Sequence, residues 1–334
     1  MLKRYLNFLT NKIYELPILV MMPHSRCNCR CVMCDIWKAN NDKKELSVEE
    51  IERHLPAFGK LKVKEIVLSG GEALMHNNLW VLCDLLKKKR KGVKITLLST
   101  GLLLKKFSKE IVDHVDEIIV SLDGSPEIHN RIRNIPEAFE KLAEGVKSIK
   151  ELKPSFRITG RCVLQKMNYF DLENIITSAK GIGLDQISFL PADISTTAFN
   201  HSGTLQGSDI SLTLIEAKEF QQIVEKCVEK LDSRFVAESA DKIRRIPGYY
   251  LALLGRETFE APPCNAPWVS AVLESDGRLM PCFFHREYGN VTGKDFEKVL
   301  NSEKAISFRK NLKVKENIIC KKCVCSLNKR PQWI

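Results

Sequence analysis

Short apolar runs alternate along the chain with longer stretches in which apolar residues recur every three or four positions. The runs at 17–22 and 65–69 and those near 93–99, 117–122, 156–163 and 185–190 read as buried strands, and the periodic stretches near 77–90, 136–152 and 169–183 as helices. Strands alternating with helices in this way predict a parallel α/β sheet with right-handed crossovers. Ahead of it, Leu2, Tyr5, Leu6, Leu9 and Ile13 at helical spacing predict an amphipathic helix over 2–14. Ser47 followed by Glu50 predicts a helix start with a capping box. The pattern breaks at 195–211, a stretch rich in Ser, Thr, Gly and Asn, and resumes with helices near 213–231 and 238–254. Two further runs, 269–274 and 278–284, flank Asp276-Gly277 as a hairpin flanks its turn. The organisation expected is an N-terminal helix (1–16), a main α/β body (17–211), bridging helices (212–258) and a small α+β module (259–334).

Composition bounds what this fold can do. With 334 residues and 44% apolar side chains, the chain can bury one large core and a small appendage. That length leaves no room for a peptide-binding domain ahead of a full catalytic body. Asn7, Asn11 and Lys12 interrupt the N-terminal apolar positions, so no secretory signal is expected. No run approaches the roughly 20 apolar residues of a membrane span, and a soluble cytoplasmic protein is expected. The net charge of +11 has two visible sources. Lys87-Lys88-Lys89-Arg90-Lys91 ends a predicted helix, where cations complement the dipole. The basic stretch 304–330 suits an acidic electron donor such as flavodoxin or ferredoxin, or a phosphorylated substrate. Nucleic acid is not expected, because no helix-turn-helix or aromatic-basic motif accompanies the charge.

The twelve cysteines fall mostly into two groups, which points to metal binding in a reducing compartment. Cys27, Cys31 and Cys34 form a CxxxCxxC directly after the first apolar run, with Cys29 between the first two. Such a triad gives three ligands to a four-iron cluster and leaves one iron open; half of a zinc site is the competing reading. The second group is Cys264, Cys282 and Cys320-Lys321-Lys322-Cys323-Val324-Cys325. Four thiols there can close one further cluster or hold zinc.

The CxxxCxxC stretch resembles the signature of the radical S-adenosylmethionine (SAM) enzymes. The resemblance implies a partial (β/α)6 barrel whose open iron binds SAM and delivers the electron that yields a 5'-deoxyadenosyl radical. Other segments resemble the same family. Gly70-Gly71-Glu72 looks like its GGE motif, with Ala73 in place of the usual proline; the glycines would admit the methionine amino group and the acid would hold it. Ser99-Thr100-Gly101 and Ser121-Leu122-Asp123-Gly124 stand at strand ends where relatives contact ribose or carboxylate, which implies SAM contacts for Ser99, Ser121 and Asp123. His129, Arg131 and Arg133 follow and read equally as a helix cap. Met33 would pack on adenine or fill a core gap. Arg161, a cation on a buried strand, asks for an anion, and the SAM carboxylate is the one expected. Ile187 to Leu190 could meet adenine or close the core.

The C-terminal cysteines resemble the truncated SPASM module called a twitch domain, and imply that Cys264, Cys282, Cys320 and Cys323 bind an auxiliary [4Fe-4S] cluster, with Cys325 as a replacement. The reading that results is a radical SAM enzyme abstracting hydrogen from a small polar substrate, with net oxidation through the auxiliary cluster. A peptide-modifying enzyme is the first alternative. A non-catalytic iron-sulfur or zinc protein of electron transfer or interaction is the second. Cyclisation of the molybdopterin type is not expected, because the last residues, Arg330-Pro331-Gln332-Trp333-Ile334, lack a Gly-Gly tail.

Overall fold

The structure is a computed structural model that describes residues 2–196, 198 and 209–329. Among these, the strands are β1 (Ile18–Met21), β2 (Glu65–Leu68), β3 (Lys94–Ser99), β4 (Glu117–Ser121), β5 (Arg157–Leu164), β6 (Gln186–Pro191), β7 (Ser270–Leu273), β8 (Arg278–Met280) and β9 (Gly289–Asn290). They form one sheet in the order β6-β5-β4-β3-β2-β1-β7-β8-β9. From β1 to β6 every pairing is parallel, each strand beside its sequence neighbour. Helices connect them: α1 (Leu2–Thr10) precedes β1, α2 (Val48–Lys60) lies between β1 and β2, and α3 (Leu79–Lys89) between β2 and β3. They are followed by α4 (Ser108–His114), α5 (Pro126–Arg133), α6 (Ala138–Leu152) and α7 (Leu172–Gly181). Burial explains why the strands hold. Leu19, Ile66, Ile95, Leu97, Ile118, Val120 and Ile158 are closed to solvent, as strands covered by crossover helices must be.

Both edges of this parallel set are covered. At β6, Ile187 donates to Phe235 O and accepts from Ala237 N, each at 2.8 Å. At the other edge β7 runs parallel to β1, pairing Ile18 with Ser270 and Met21 with Leu273, before β8 and β9 turn back antiparallel. The hairpin around Asp276-Gly277 forms as the sequence predicts, with Gly277 at φ +82. Its attachment to β1 is a long-range pairing that no local pattern signals.

The remaining helices are α8 (Leu214–Val228), α9 (Ala240–Leu253), α10 (Ala266–Val269), α11 (Phe296–Leu300), α12 (Glu303–Asn311) and α13 (Ile318–Lys321). The first lies across the barrel's last unit, and α9 is tied to the strand ends by one hydroxyl. Tyr250 Oη donates to Leu164 O at 2.5 Å and accepts from Ala192 N at 3.0 Å. Some expectations change in detail. α1 stops at Thr10 because Asn11 takes a left-handed conformation, φ +59. Ser47 caps α2 through Glu50 N at 3.1 Å, but the Glu50 carboxylate turns to Arg53 and to Gly293 N instead of completing a box. The reciprocal box is found at Thr213 and Glu216. α4 and α5 are short and polar, and no helix was expected over either. Within the predicted break at 195–211, residues 197 and 199–208 lie outside the described residues, as do 330–334. No described helix is long and apolar enough to cross a membrane.

Candidate functional site

The loop after β1 carries Cys27, Cys31 and Cys34 to one end of the parallel strands. The loop is built by backbone clamps. Asn40 accepts from Cys27 N and donates to Cys27 O, both at 2.9 Å. Arg30 N and Val32 N, on either side of Cys31, donate to Arg133 O and Ile132 O at the end of α5. Burial pushes the Cys27 and Cys34 thiols up to about 12, and Cys31 adds to the effect on each. Cys31 is the exception. The Cys29 thiol donates to its sulfur, Arg133 Nη1 does so at 3.3 Å, and together they hold it below the usual thiol range. Cys29 itself is closed to solvent and held strongly in its protonated form by that hydrogen bond.

The Gly70-Gly71-Glu72 turn presses against this loop. A Cβ on Gly71 would lie 2.2 Å from Arg26 O and 2.9 Å from Cys27 Cβ, and Gly70 sits at φ +115. Both positions therefore admit only glycine without movement. Glu72 is engaged by its own neighbours. Its side chain is fully buried and accepts from Thr100 N (2.7 Å), Thr100 Oγ1 (2.6 Å), Ser99 Oγ (3.0 Å) and Leu74 N (3.1 Å). Burial pushes its carboxyl up, and those donors pull against the shift. The carboxylate braces the β2 and β3 ends, and Ser99 joins the same bracing. Thr100, which also reaches Asn28 Oδ1 at 3.0 Å, ties this bracket to the cysteine loop.

Asp123 is likewise engaged within the chain. It is closed to solvent, accepts from Val163 N at 2.8 Å and forms an ion pair with Arg133. Each of its oxygens thus has a partner within the chain. Arg161 is half-buried, donates to Ser188 Oγ at 3.2 Å, and opposes the upward push of burial on the Glu238 carboxyl. Ser121 stands beside Arg161 in the β4–β5 ladder at the barrel mouth. Met33 is half-buried and packs against the core.

Two cavities open from these elements. One, of about 610 Å³, is lined by Arg30, Cys31, Asp35, Trp37 and Met167. The larger, about 840 Å³, runs from Arg161 and Phe189 on the strands past Glu238 and Tyr249 to Cys323 and Cys325. The other C-terminal thiols lie close to these two. Burial pushes Cys282 up to about 11 and Cys320 up to about 12, and Cys264 lies close enough to push both the same way. Cys323 is raised by burial, with Cys325, Cys264 and Cys282 adding to it. His285 Nε2 lies 3.3 Å from Cys320 Sγ. Sequence reasoning missed His285, although Cys282-Phe283-Phe284-His285 is itself a Cys-x-x-His pair. It also missed Glu238, which no motif marks, and assigned Thr100 no role although it lies in the marked Ser99-Thr100-Gly101 segment.

Among the described residues, no three Cys, His, Asp or Glu side chains are drawn around a single ion. Both thiol sets nonetheless fit iron-sulfur ligation by the chemistry of their donors. They are desolvated and mutually repulsive once ionised, a state that bound iron relieves by displacing the protons.

Residues 21–179 match the model of the Radical SAM superfamily, and residues 264–324 match that of an iron-sulfur cluster-binding domain, SPASM. Both descriptions replace the zinc readings. The chain is 25% identical over 284 residues to the antilisterial bacteriocin subtilosin biosynthesis protein AlbA of Bacillus subtilis, covering 83% of this chain and 58% of that protein. It is 24% identical over 171 residues to the pre-heme d1 synthase of Dinoroseobacter shibae, covering 51% and 42%. The chain thus spans little more than half, or less, of these relatives' own lengths. Its fold is similar to that of SuiB of Streptococcus suis, solved bound to the precursor peptide SuiA, with a TM-score of 0.67 at 14% identity over 97% of this chain and 74% of that one.

Proposed function

Because this chain is a radical SAM enzyme with a SPASM-type iron-sulfur module, we propose that it abstracts hydrogen from a small, polar, anionic substrate held between barrel and module, with net oxidation. The observation that carries this is the 840 Å³ cavity, which joins the strand ends to the C-terminal cysteines. Its size is that of small-molecule sites, about 300–1,000 Å³. Arg161, Lys242, Arg244, Arg245 and Lys321 on its wall outnumber Glu238, Glu257 and Glu260, a balance that favours an anion, and Arg161 would orient one.

In this reading Cys27, Cys31 and Cys34 would hold the cluster that binds SAM, and Cys264, Cys282, Cys320 and Cys323 the auxiliary one. When bound, these groups supply reductive cleavage of SAM, hydrogen-atom abstraction and a nearby electron acceptor. The chain's residues do the rest. Bare backbone at Gly70 and Gly71 lets the methionine end of SAM approach, and Ser121 stands where a SAM contact is expected. Phe189 and Tyr249 exclude water from the cavity. Glu238, whose carboxyl burial pushes up, is suited to take the substrate's proton at its side-chain oxygens. The basic stretch around the C-terminal cysteines would dock an acidic electron donor such as flavodoxin or ferredoxin.

A peptide substrate is the second reading. It is supported by what AlbA and SuiB are named for, as the small molecule is by the pre-heme d1 synthase. Anaerobic reconstitution tests the whole reading. The parent is expected to hold about eight irons, Cys31→Ala and Cys282→Ala each to lose about four, and Cys31→Ala to form no 5'-deoxyadenosine. Deoxyadenosine released with carboxylated small molecules and not with peptides supports the first substrate class; the reverse result replaces it with the second.

A further inference from the structure

Arg133 is a charged side chain almost closed to water. It is 6% exposed as a residue, and its partner Asp123 is closed to solvent altogether. A buried ion pair roughly breaks even on stability at best, so its presence against a cysteine loop asks for another reason. The pair is aimed. Arg133 Nη2 meets the Asp123 carboxylate, and Nη1 donates to Cys31 Sγ at 3.3 Å. Everything around it fixes that direction. Asp123 is held by Val163 N on its carboxylate, by His129 Nδ1 accepting from its amide at 3.1 Å, and by Asn168 Nδ2 donating to its carbonyl at 2.7 Å. Arg133's own carbonyl accepts from Arg30 N at 3.2 Å, and Ile132 O from Val32 N at 3.1 Å. The left-handed Asn134, φ +52, stops α5 at this turn and leaves those carbonyls free for the cysteine loop.

We propose that Arg133, aimed by Asp123, is a positioning residue that raises the reduction potential of the SAM-binding iron centre through its hydrogen bond to Cys31. This rests on Cys31 being an iron ligand, as in the functional reading above. A guanidinium stays charged under all ordinary conditions. Donated to a ligating sulfur, it stabilises the added negative charge of the reduced centre more than the oxidised one, and hydrogen bonds to cluster sulfurs are one of the levers by which proteins set such potentials. Asp123 offsets the long-range field of the cation but leaves the short-range donation to sulfur intact.

The test is a redox titration of the full reconstituted chain, followed by electron paramagnetic resonance, with the centre identified as the signal that changes when SAM is added. Three proteins are compared: the parent, Arg133→Lys, and the double variant Arg133→Met with Asp123→Asn, which removes the donor to sulfur and both charges so that neither is left buried alone. The double variant is expected to titrate at a more negative potential. A tenfold fall in the reduced-to-oxidised ratio at the parent's midpoint would be about 59 mV for a one-electron couple. Arg133→Lys, which keeps the charge and loses the fixed fork, is expected to fall between, at unchanged iron content. Equal midpoints in all three at full iron overturn the proposal while leaving the functional reading standing. If the double variant fails to retain iron, Arg133→Lys decides alone, and loss of iron in both shows a residue that holds the loop and not the potential. A parent with no SAM-responsive centre overturns the functional reading and this one together.

Discussion

Gly71 shows how closely the cysteine loop is fitted to its neighbours. The contact that a Cβ would make is with backbone, Arg26 O at 2.2 Å, and backbone cannot swing aside as a flexible side chain can. Gly71→Ala is therefore expected to cost about 1–3 kcal/mol by overpacking and to displace Cys27. Iron content after reconstitution should fall by about the four irons of one cluster, while Gly181→Ala, with nothing within 4 Å and no left-handed φ, retains the parental content. Full iron in Gly71→Ala would show that the loop can shift without losing its ligands. The double glycine was legible only through its resemblance to a family motif one unit after the cysteines, since two glycines after a strand are otherwise a tight turn. The role of the adjacent carboxylate was not. Nothing in the letters Gly-Gly-Glu shows that Thr100 and Ser99 fold back to occupy Glu72, or that Arg133 claims Asp123. A side chain's chemistry is written in the sequence, but whether its hydrogen-bonding capacity is already filled depends on residues tens of positions away.

The same distinction separates the elements that the sequence announces from those it hides. β1 to β6 and α6 to α9 carry sustained periodicity, so their positions follow from pattern alone. α5 does not: Pro126-Glu127-Ile128-His129-Asn130-Arg131-Ile132-Arg133 looks polar, and only the fold reveals that His129, Ile132 and Arg133 are buried. His54 in α2 is a similar case. It is 2% exposed, tilted against Phe58 and Phe296, with Nε2 3.3 Å from Glu50 Oε1, and Arg53 and Asp295 are the other charges acting on it. Burial lowers its pKa, with Glu50 opposing the shift. The unfolded chain then takes up a proton at a higher pH than the fold does. His54's contribution is fully present above the unfolded value of about 6.5 and is lost as pH falls below it, at up to about 1.4 kcal/mol per pH unit. His54→Leu is expected to flatten the fall in stability between about pH 6.5 and 5, measured by denaturant unfolding against the parent. Parallel pH curves for the two proteins would show that His54 is not among the groups taking up protons there.

At the scale of the whole molecule, β1 is the seam. It pairs with β2 on one side and β7 on the other, so the loop carrying Cys27 to Cys34 leaves from the strand that joins barrel to module. The N-terminal segment sews the same seam from outside. Asn7 Nδ2 donates to Trp268 O at 2.8 Å, and Trp268 Nε1 to Asn11 Oδ1 at 3.0 Å. Arg309 Nε donates to Asn11 O at 2.6 Å. Asn301 takes both backbone groups of Ile13, accepting from its amide at 2.7 Å and donating to its carbonyl at 2.9 Å. Residues nearly 300 positions apart thus share one hydrogen-bond network, which no reading of local pattern could supply. If the seam transmits stability, barrel and module unfold together. Asn301→Ala leaves the amide and carbonyl of the buried Ile13 unpaired, at a cost of roughly 1–3 kcal/mol. A calorimetric scan of the variant is then expected to show one transition, moved down as a whole. Two transitions, with only the lower displaced, would mean that the module is merely leaning on the barrel. The geometry of the cavity between them would then depend on the bound clusters and not on the shared sheet.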